Sequence, residues 1–363
     1  MQIAIKKKPT NVVGLEIEAG SLAAAEVRAN GSSELRTAAV ETLDPAAFHE
    51  GEVVDADGLV DGLKSLFSKN KLSKRVRLGI GNQSVVVRTL RLPAIEDPKE
   101  LDSAVRFQAA EQMPMPMDQA VLQHQVVGGV PGEEGAPAQI DVVVIAARRD
   151  MVSSFVGPLR RAGLEPVGID LTAFGMIRAL ADGLRPLVAD SDDAETPRPP
   201  ETILYCGLGD VTNLAVARGR SCLFTRVSHA GLGAIGEGLG AGIGLTPEHA
   251  AQWLTYVGVE QPVEGIEGDP EIVAAVRGSL ESGLVNLADE LRLSLDYYRA
   301  LEGAVPVERV ALSGPGSAIP GIAQHMEDML GLPIETVTPP MLSGFDPRDA
   351  ARLTMPYGLA LEQ

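Results

Sequence analysis

The sequence is poor in nearly everything that metal, disulfide or nucleic-acid chemistry requires. It has two cysteines, Cys206 and Cys222, too few for a disulfide framework or a cysteine-based zinc site. Both fall on strands expected of one hairpin and read as small apolar core residues. The five histidines (His49, His124, His229, His249, His325) are scattered, with no metal-ligand spacing among them. Positive charge is scarce: 31 Lys and Arg stand against 49 Asp and Glu, a formal net charge of -18. Such a surface repels a phosphate backbone, which excludes a nucleic-acid role and leaves either a merely soluble surface or a basic protein partner. Long apolar runs are also missing. The longest clean stretch, Val142 to Ala147, is far short of the roughly 20 residues of a spanning helix. The opening MQIAIKKKPT places its lysines after a very short apolar run, the wrong order for a signal peptide. A cytoplasmic chain is therefore expected, with membrane contact only through a partner. What is present is apolar residue in ordinary abundance, 45% of 363 residues, enough for sizeable cores in two or more domains.

The most informative segment begins at Glu201. ETILYCGLGDVTNLAVARGRSCLFTRVSHAGLGAIGEGL reads as strand, glycine-bearing turn, strand, turn, strand. Ile203 to Cys206 is an apolar strand, Gly207 and Gly209 make a tight turn, and Thr212 and Asn213 follow it. Leu214 to Ala217 and Ser221 to Val227 complete the meander. VVGLEIEAGSLAAAEVRANG, from Val12, repeats the design, with small residues Gly20 and Ser21 at its tip. A hairpin with a small-residue tip lets backbone N–H groups approach a ligand closely, which suits a phosphate.

Two such hairpins in two halves of one chain resemble the actin-like ATPase superfamily. Further segments sharpen the likeness: GEVVDADGLVDGLKSLF, LRLPAIEDPKELDSAVRFQAAEQMPMPMDQ, RRAGLEPVGIDL, ELRLSLDYYRA, RVALSGPGSAIPGIAQHMEDMLGLPIETV and MPYGLALEQ. In this order they resemble the PilM family of type IV pilus assembly proteins, relatives of the cell-division protein FtsA. The resemblance implies an α/β, actin-like (ribonuclease H-like), two-lobed fold with an inserted subdomain of the 1C or SHS2 type. FtsA carries an amphipathic C-terminal helix; here the sequence stops at Gln363 just after GLAL, which favours PilM.

Along the chain, Leu59 to Ser68 and Asp97 to Gln112 read as helices. The second presents Leu101, Val105 and Ala109 on one face. Val76 to Ile80 and Ser84 to Arg91 read as strands, and Leu92-Pro93 breaks the second. Strands follow at Val121 to Val127 and Ile140 to Ala147, joined by the polar loop GGVPGEEGAPAQ. Arg149 to Ala162 is helical, capped by Gly163. Thr172 to Leu184, Glu248 to Tyr256 and Ile272 to Tyr298 are further helices. The expected division is a first lobe of 10–89 with 166–185 and 350–363, an insertion of 90–165 read as helix, two strands and helix, a proline-rich linker of 186–200, and a second lobe of 201–349 whose outer part spans about 246–305.

In the family, an acidic residue on each hairpin positions magnesium and water for ATP chemistry. By the resemblance, Glu16 takes the place of the first aspartate, Glu18 stands where a glycine is expected, and Ala23 where a lysine is common. Tyr205 replaces the second aspartate. A phenol is neutral at pH 7 and a poor magnesium ligand. Asp210 lies just beyond, and Ala251 and Leu254 stand where the adenosine-contacting helix carries charge. The glycine segment LSGPGSAIPG, with Gly314, Gly316 and Ser317, matches the adenine loop, and it reads equally as a plain strand-to-helix turn. The expectation is a degenerate, non-hydrolysing cleft in which Gly20, Ser21, Gly207, Gly209, Thr212, Asn213, Gly314, Gly316 and Ser317 hold no nucleotide, or ATP with magnesium weakly. No metal site is expected otherwise.

Met113, Met115 and Met117 form a separate signal. Methionine suits adaptable peptide-binding surfaces and also simple core filling. The resemblance implies that the tail of a PilN-like inner-membrane protein docks between the first lobe and the insertion. MPMPM would wall that groove, with Phe107 one helical face behind. The expected function is a cytoplasmic adaptor at the inner membrane that joins a PilN-like protein to pilus motor ATPases. An ATP-driven switch and an FtsA-like filament former are the alternatives.

Overall fold

The computed structural model describes residues 11–29, 33–130, 138–184 and 200–361. Chain order begins with an antiparallel meander, β1 (Asn11–Glu18), β2 (Ser21–Ala29) and β3 (Ser33–Thr42). A small hairpin, β4 (Phe48–His49) and β5 (Glu52–Val53), follows, then α1 (Ala56–Lys69) and β6 (Arg75–Ile80). A second block holds β7 (Val86–Pro93), α2 (Pro98–Gln112), β8 (Ala120–Val130) and β9 (Gln139–Arg148). Then come α3 (Arg149–Arg161), β10 (Glu165–Leu171) and α4 (Thr172–Leu180). The remainder is β11 (Thr202–Leu208), β12 (Thr212–Arg218), β13 (Ser221–Ser228), α5 (Leu232–Ile243), α6 (Pro247–Val257), α7 (Pro270–Arg299), β14 (Arg309–Ser313), α8 (Ile322–Leu330), β15 (Ile334–Thr336) and α9 (Pro347–Ala360).

Two five-stranded sheets dominate, with orders β10-β6-β1-β2-β3 and β13-β12-β11-β14-β15. In each, an antiparallel hairpin is extended by parallel strands, β6 beside β1 and β14 beside β11. The alternation of β1 explains how the layers stack. Val13, Leu15 and Ile17 face outward into a cluster with Leu59, Leu63 and Phe155 of α1 and α3. Gly14, on the opposite face, lies so close to α9 that a Cβ would stand 1.9 Å from the Pro356 carbonyl oxygen. On β11, Ile203 and Tyr205 face the same inner layer, while Leu204, Cys206 and Leu208 face α5 to α8. Helices α4 and α9 are thus held between the two sheets, with α1 and α3 outside one and α5 to α8 outside the other. The terminal helix does return to the first half, tied there by Arg77, which donates to the Leu359 and Leu361 carbonyls at 2.9 and 2.7 Å.

The insertion differs from its expected outline. Its separate core joins Leu90, Val105, Ala109, Leu122, Val142 and Val144 under a three-stranded sheet of order β7-β9-β8. It therefore reads strand, helix, strand, strand over Val86 to Arg148. Helix α3 belongs to the first lobe, because Phe155 and Leu159 are buried in that lobe's outer cluster. Periodicity marks a helix but does not say which sheet its apolar stripe covers. Strand β7 continues through Pro93, which pairs with Gln139. Proline is tolerated there because β7 is an edge strand that needs no donor on its open side.

Helices α5 to α7 share one core with β11, β12 and α8, so the outer part of the second lobe has no core of its own. Several elements were not anticipated, among them two longer ones. Strand β10 pairs parallel with β6 despite its proline and glycine. Helix α5 forms although its sequence, LGAIGEGLGAGI, is rich in glycine. Ile235 and Leu239, one helical turn apart, anchor it. The expected linker of 186–200 lies outside the described residues except Pro200, as does most of the polar loop between β8 and β9.

Candidate functional site

The tips of the two hairpins meet where the lobes face each other. The first tip is Glu18-Ala19-Gly20-Ser21, with Gly20 at φ 79, a left-handed turn residue. The second is Gly209-Asp210-Val211; Gly207 belongs to β11 itself. Across the gap the Asp210 N–H donates to Glu18 Oε1 at 3.4 Å. Between the lobes is a cavity of about 170 Å³. Its polar wall carries Glu18, Ser21, His49, Asp210, Arg348 and Arg352. Its apolar end carries Ala251, Leu254, Pro315 and Ile319. Ligand pockets for small molecules usually span about 300–1,000 Å³, so this gap is narrow. Beneath the tips a second cavity of about 20 Å³ is lined by Glu16, Thr172, Asp210 and Asn213, room for a single water.

Acid dominates the electrostatics. Burial, then the neighbouring Glu18 charge, raises the Glu16 carboxyl well above its ordinary value. Glu18 is pushed up to about 7 by burial and then by Asp210, against the pull of Arg352 and of the Asp210 N–H. Burial also raises Asp210; Glu237 and Glu50 add to this, while His49 and His229 oppose it. Two histidine–glutamate contacts span the lobes at the rim, His49 Nδ1 to Glu237 Oε1 at 3.5 Å and His229 Nδ1 to Glu50 Oε1 at 3.0 Å. Glu50 sits at φ 49 in the β4–β5 turn, an uncommon conformation for a residue with a side chain, and it reaches across from there. Among the described residues no group of three or more His, Cys, Asp or Glu is arranged to hold a metal ion.

Several residues expected at the cleft are elsewhere. Tyr205 is 1% exposed and packs in the layer of α4 and α9, away from both cavities. Burial pushes its phenol to about 12. It is a core residue because β11 is covered on both faces, so an inward-facing side chain in mid-strand meets helix rather than the gap. Thr212 spends its hydroxyl on the Ala230 carbonyl at 2.6 Å. Gly207 is small because Met355 lies over it, and Gly314 and Gly316 because Leu208 does. Ser317 donates to the Gly314 carbonyl at 2.7 Å, within its own turn. Glu16, Glu18, Ser21, Gly209, Asp210 and Asn213 do gather at or under the gap, as do Ala251 and Leu254. Sequence reasoning missed Arg348, Arg352, His49 and Glu237. The two arginines are four apart at the start of α9, after the Asp346-Pro347 helix opening, and that spacing could have marked a cationic face.

One of the three methionines is also corrected. Met113 is 7% exposed and belongs to the insertion's core, so it walls no groove. Met115 and Met117 are half-buried against the same core. Phe107 stands out from α2 at 70% exposure.

The sequence profile of the family described as type IV pilus assembly protein PilM matches residues 14–254. The chain belongs to the PilM family. A chain of the PilM–PilN type IV pilus biogenesis complex is 27% identical, with 97% of this chain and 98% of that one covered and a TM-score of 0.77. Two more distant structures share the fold. One is the ethanolamine utilization protein EutJ from Carboxydothermus hydrogenoformans, at 14% identity, 98% and 90% coverage and TM-score 0.52. The other is MreB5 of Spiroplasma citri bound to ADP, at 13% identity, 96% and 94% coverage and TM-score 0.51. The PilM-family chain described here thus has an actin-like, two-lobed fold and is a type IV pilus assembly protein.

Proposed function

We propose that this PilM-family chain is an adaptor of the pilus assembly platform that binds the N-terminal tail of a PilN-like membrane protein and does not turn over ATP. The observation that carries the partner is the likeness, over 97% of the chain, to a component of a PilM–PilN complex. Among the described residues no helix is long and apolar enough to cross a membrane, which fits attachment through such a partner at the cytoplasmic side of the inner membrane. The insertion corresponds to the SHS2-type subdomain of the family, and the tail docks where it meets the first lobe. With Met113 in the core, Phe107, Met115 and Met117 are the remaining candidates for that contact.

The cleft does not fit magnesium–ATP. It is narrow, a carboxyl stands between the hairpin tips, and the second hairpin offers Asp210 in its turn rather than an acid on the strand at Tyr205. Three carboxyls, Glu16, Glu18 and Asp210, crowd the tips where the phosphates would lie, and their raised proton affinity makes them poor anionic holders of magnesium. Phosphate release from saturating magnesium–ATP, with and without a PilN-like tail peptide, tests this. Release at background rates in both conditions is expected. Turnover that Glu16→Gln abolishes would instead establish the ATP-driven switch.

A further inference from the structure

We propose that Glu18 is a built-in plug, a carboxyl carried by the first lobe that docks on the second lobe's hairpin and latches the two lobes closed where a phosphate-bearing ligand would need to enter. This deepens the reading of the cleft given above and rests on it. The contact has three parts. Glu18 Oε1 accepts the Asp210 N–H at 3.4 Å. Gly209 leaves the space in which that oxygen lies; a Cβ on Gly209 would stand 2.0 Å from it. Arg352 is the neighbouring cation that favours the charged carboxylate, and its Nε is buried without a hydrogen-bond partner among the described residues.

The docking surface is rigid on the second-lobe side. The Leu232 N–H donates to the Gly209 carbonyl at 2.8 Å, and the Gly233 N–H to the Asp210 carbonyl at 3.2 Å. The tip is thereby fastened to the first turn of α5, a helix of 12 residues. A backbone N–H and a nearby arginine form a setting that takes a phosphate or a carboxylate alike. Here the chain's own side chain fills it. The plug joins lobes that are otherwise bridged at the rim by the pairs of His49 with Glu237 and His229 with Glu50.

Gly209 offers a test that leaves Glu18 chemically intact. Apart from the Glu18 carboxyl, the nearest atom to a Cβ there is the Val211 carbonyl oxygen at 3.6 Å, an ordinary contact. Gly209→Ala should therefore expel the carboxyl and little else. The experiment uses the whole chain and four forms: wild type, Gly209→Ala, Glu18→Gly and the double variant. Small-angle scattering reads closure, a fluorescent ADP reads access to the cleft, and a thermal melt checks folding. Both single variants should have a larger radius of gyration than wild type. Glu18→Gly should bind ADP at least about tenfold more tightly than wild type. Gly209→Ala should add nothing in the Glu18→Gly background, since its effect runs through the displaced carboxyl. A folded Glu18→Gly with unchanged size and ADP affinity overturns the plug. So does a Gly209→Ala effect of equal size in both backgrounds. Loss of tail binding by the wild type would strike the adaptor reading alone, because neither readout of the plug involves the tail.

Discussion

Tyr205 and Glu18 occupy opposite fates of the two hairpins. Tyr205 lies in the covered middle of β11 against α4 and α9. Tyr205→Asp would place an unpaired charge there and should lower the unfolding free energy by about 3–5 kcal/mol in a denaturant titration. Tyr205→Phe should cost about 1 kcal/mol or less. Glu18 lies at the open tip, and its proton affinity makes closure depend on pH. Its value in the folded protein is raised to about 7 from an ordinary 4.5. The stability this contributes is fully present below the ordinary value and is lost as pH rises through 7. Glu16 and Asp210, raised in the same direction, add to the trend. Glu50, Glu237, His49, His229, Arg348 and Arg352 complete the charges that face the gap. The melting temperature should fall between about pH 4.5 and pH 7, and fall less in Glu18→Gln; an equal fall in both would remove Glu18 from the account. At this scale the sequence pointed to the right hairpins and misjudged which side chains meet. The resemblance to the PilM family's hairpins located Glu16, Glu18 and Asp210. Whether Tyr205 faces a gap or a helix depends on what covers β11, which no local pattern records.

Elements were legible where their pattern is local. The β1 to β3 meander, α1, α2 and α7 follow their alternation or 3.6-residue period, and the Asp97 and Asp269 side chains cap α2 and α7. Assignment of an element to a core was harder. Helix α3 follows the insertion in sequence but covers the first sheet, and MPMPM turns Met113 inward because α2 ends just above its own sheet. Met113→Ala should therefore destabilise the protein by about 2–5 kcal/mol, whereas Met117→Ala should cost less, as read from denaturant midpoints. Equal, negligible costs would return Met113 to the surface. Helix α5 was hidden by its glycines. Gly238 and Gly242 lie in open space on it, with nothing within 4 Å of where a methyl group would stand, so packing does not require them. Replacing each with alanine should stabilise the chain by up to about 1 kcal/mol, detectable as a raised melting temperature.

At the scale of the whole molecule, two sheets clasp α4 and α9, and the C-terminal helix closes the first lobe against the second. The pair of glycine-tipped hairpins made that architecture readable, since each predicts half of it. The PilM–PilN likeness adds a partner, and the described helices supply no membrane span of their own. Adaptor and ATP-driven switch make opposite demands on the same complex. The direct measurement is a calorimetric titration of the full chain with the N-terminal tail peptide of a PilN-like protein, run without nucleotide and again with saturating magnesium–ATP. An adaptor binds the tail with the same dissociation constant in both. No binding, or binding that appears only with magnesium–ATP, would contradict the account.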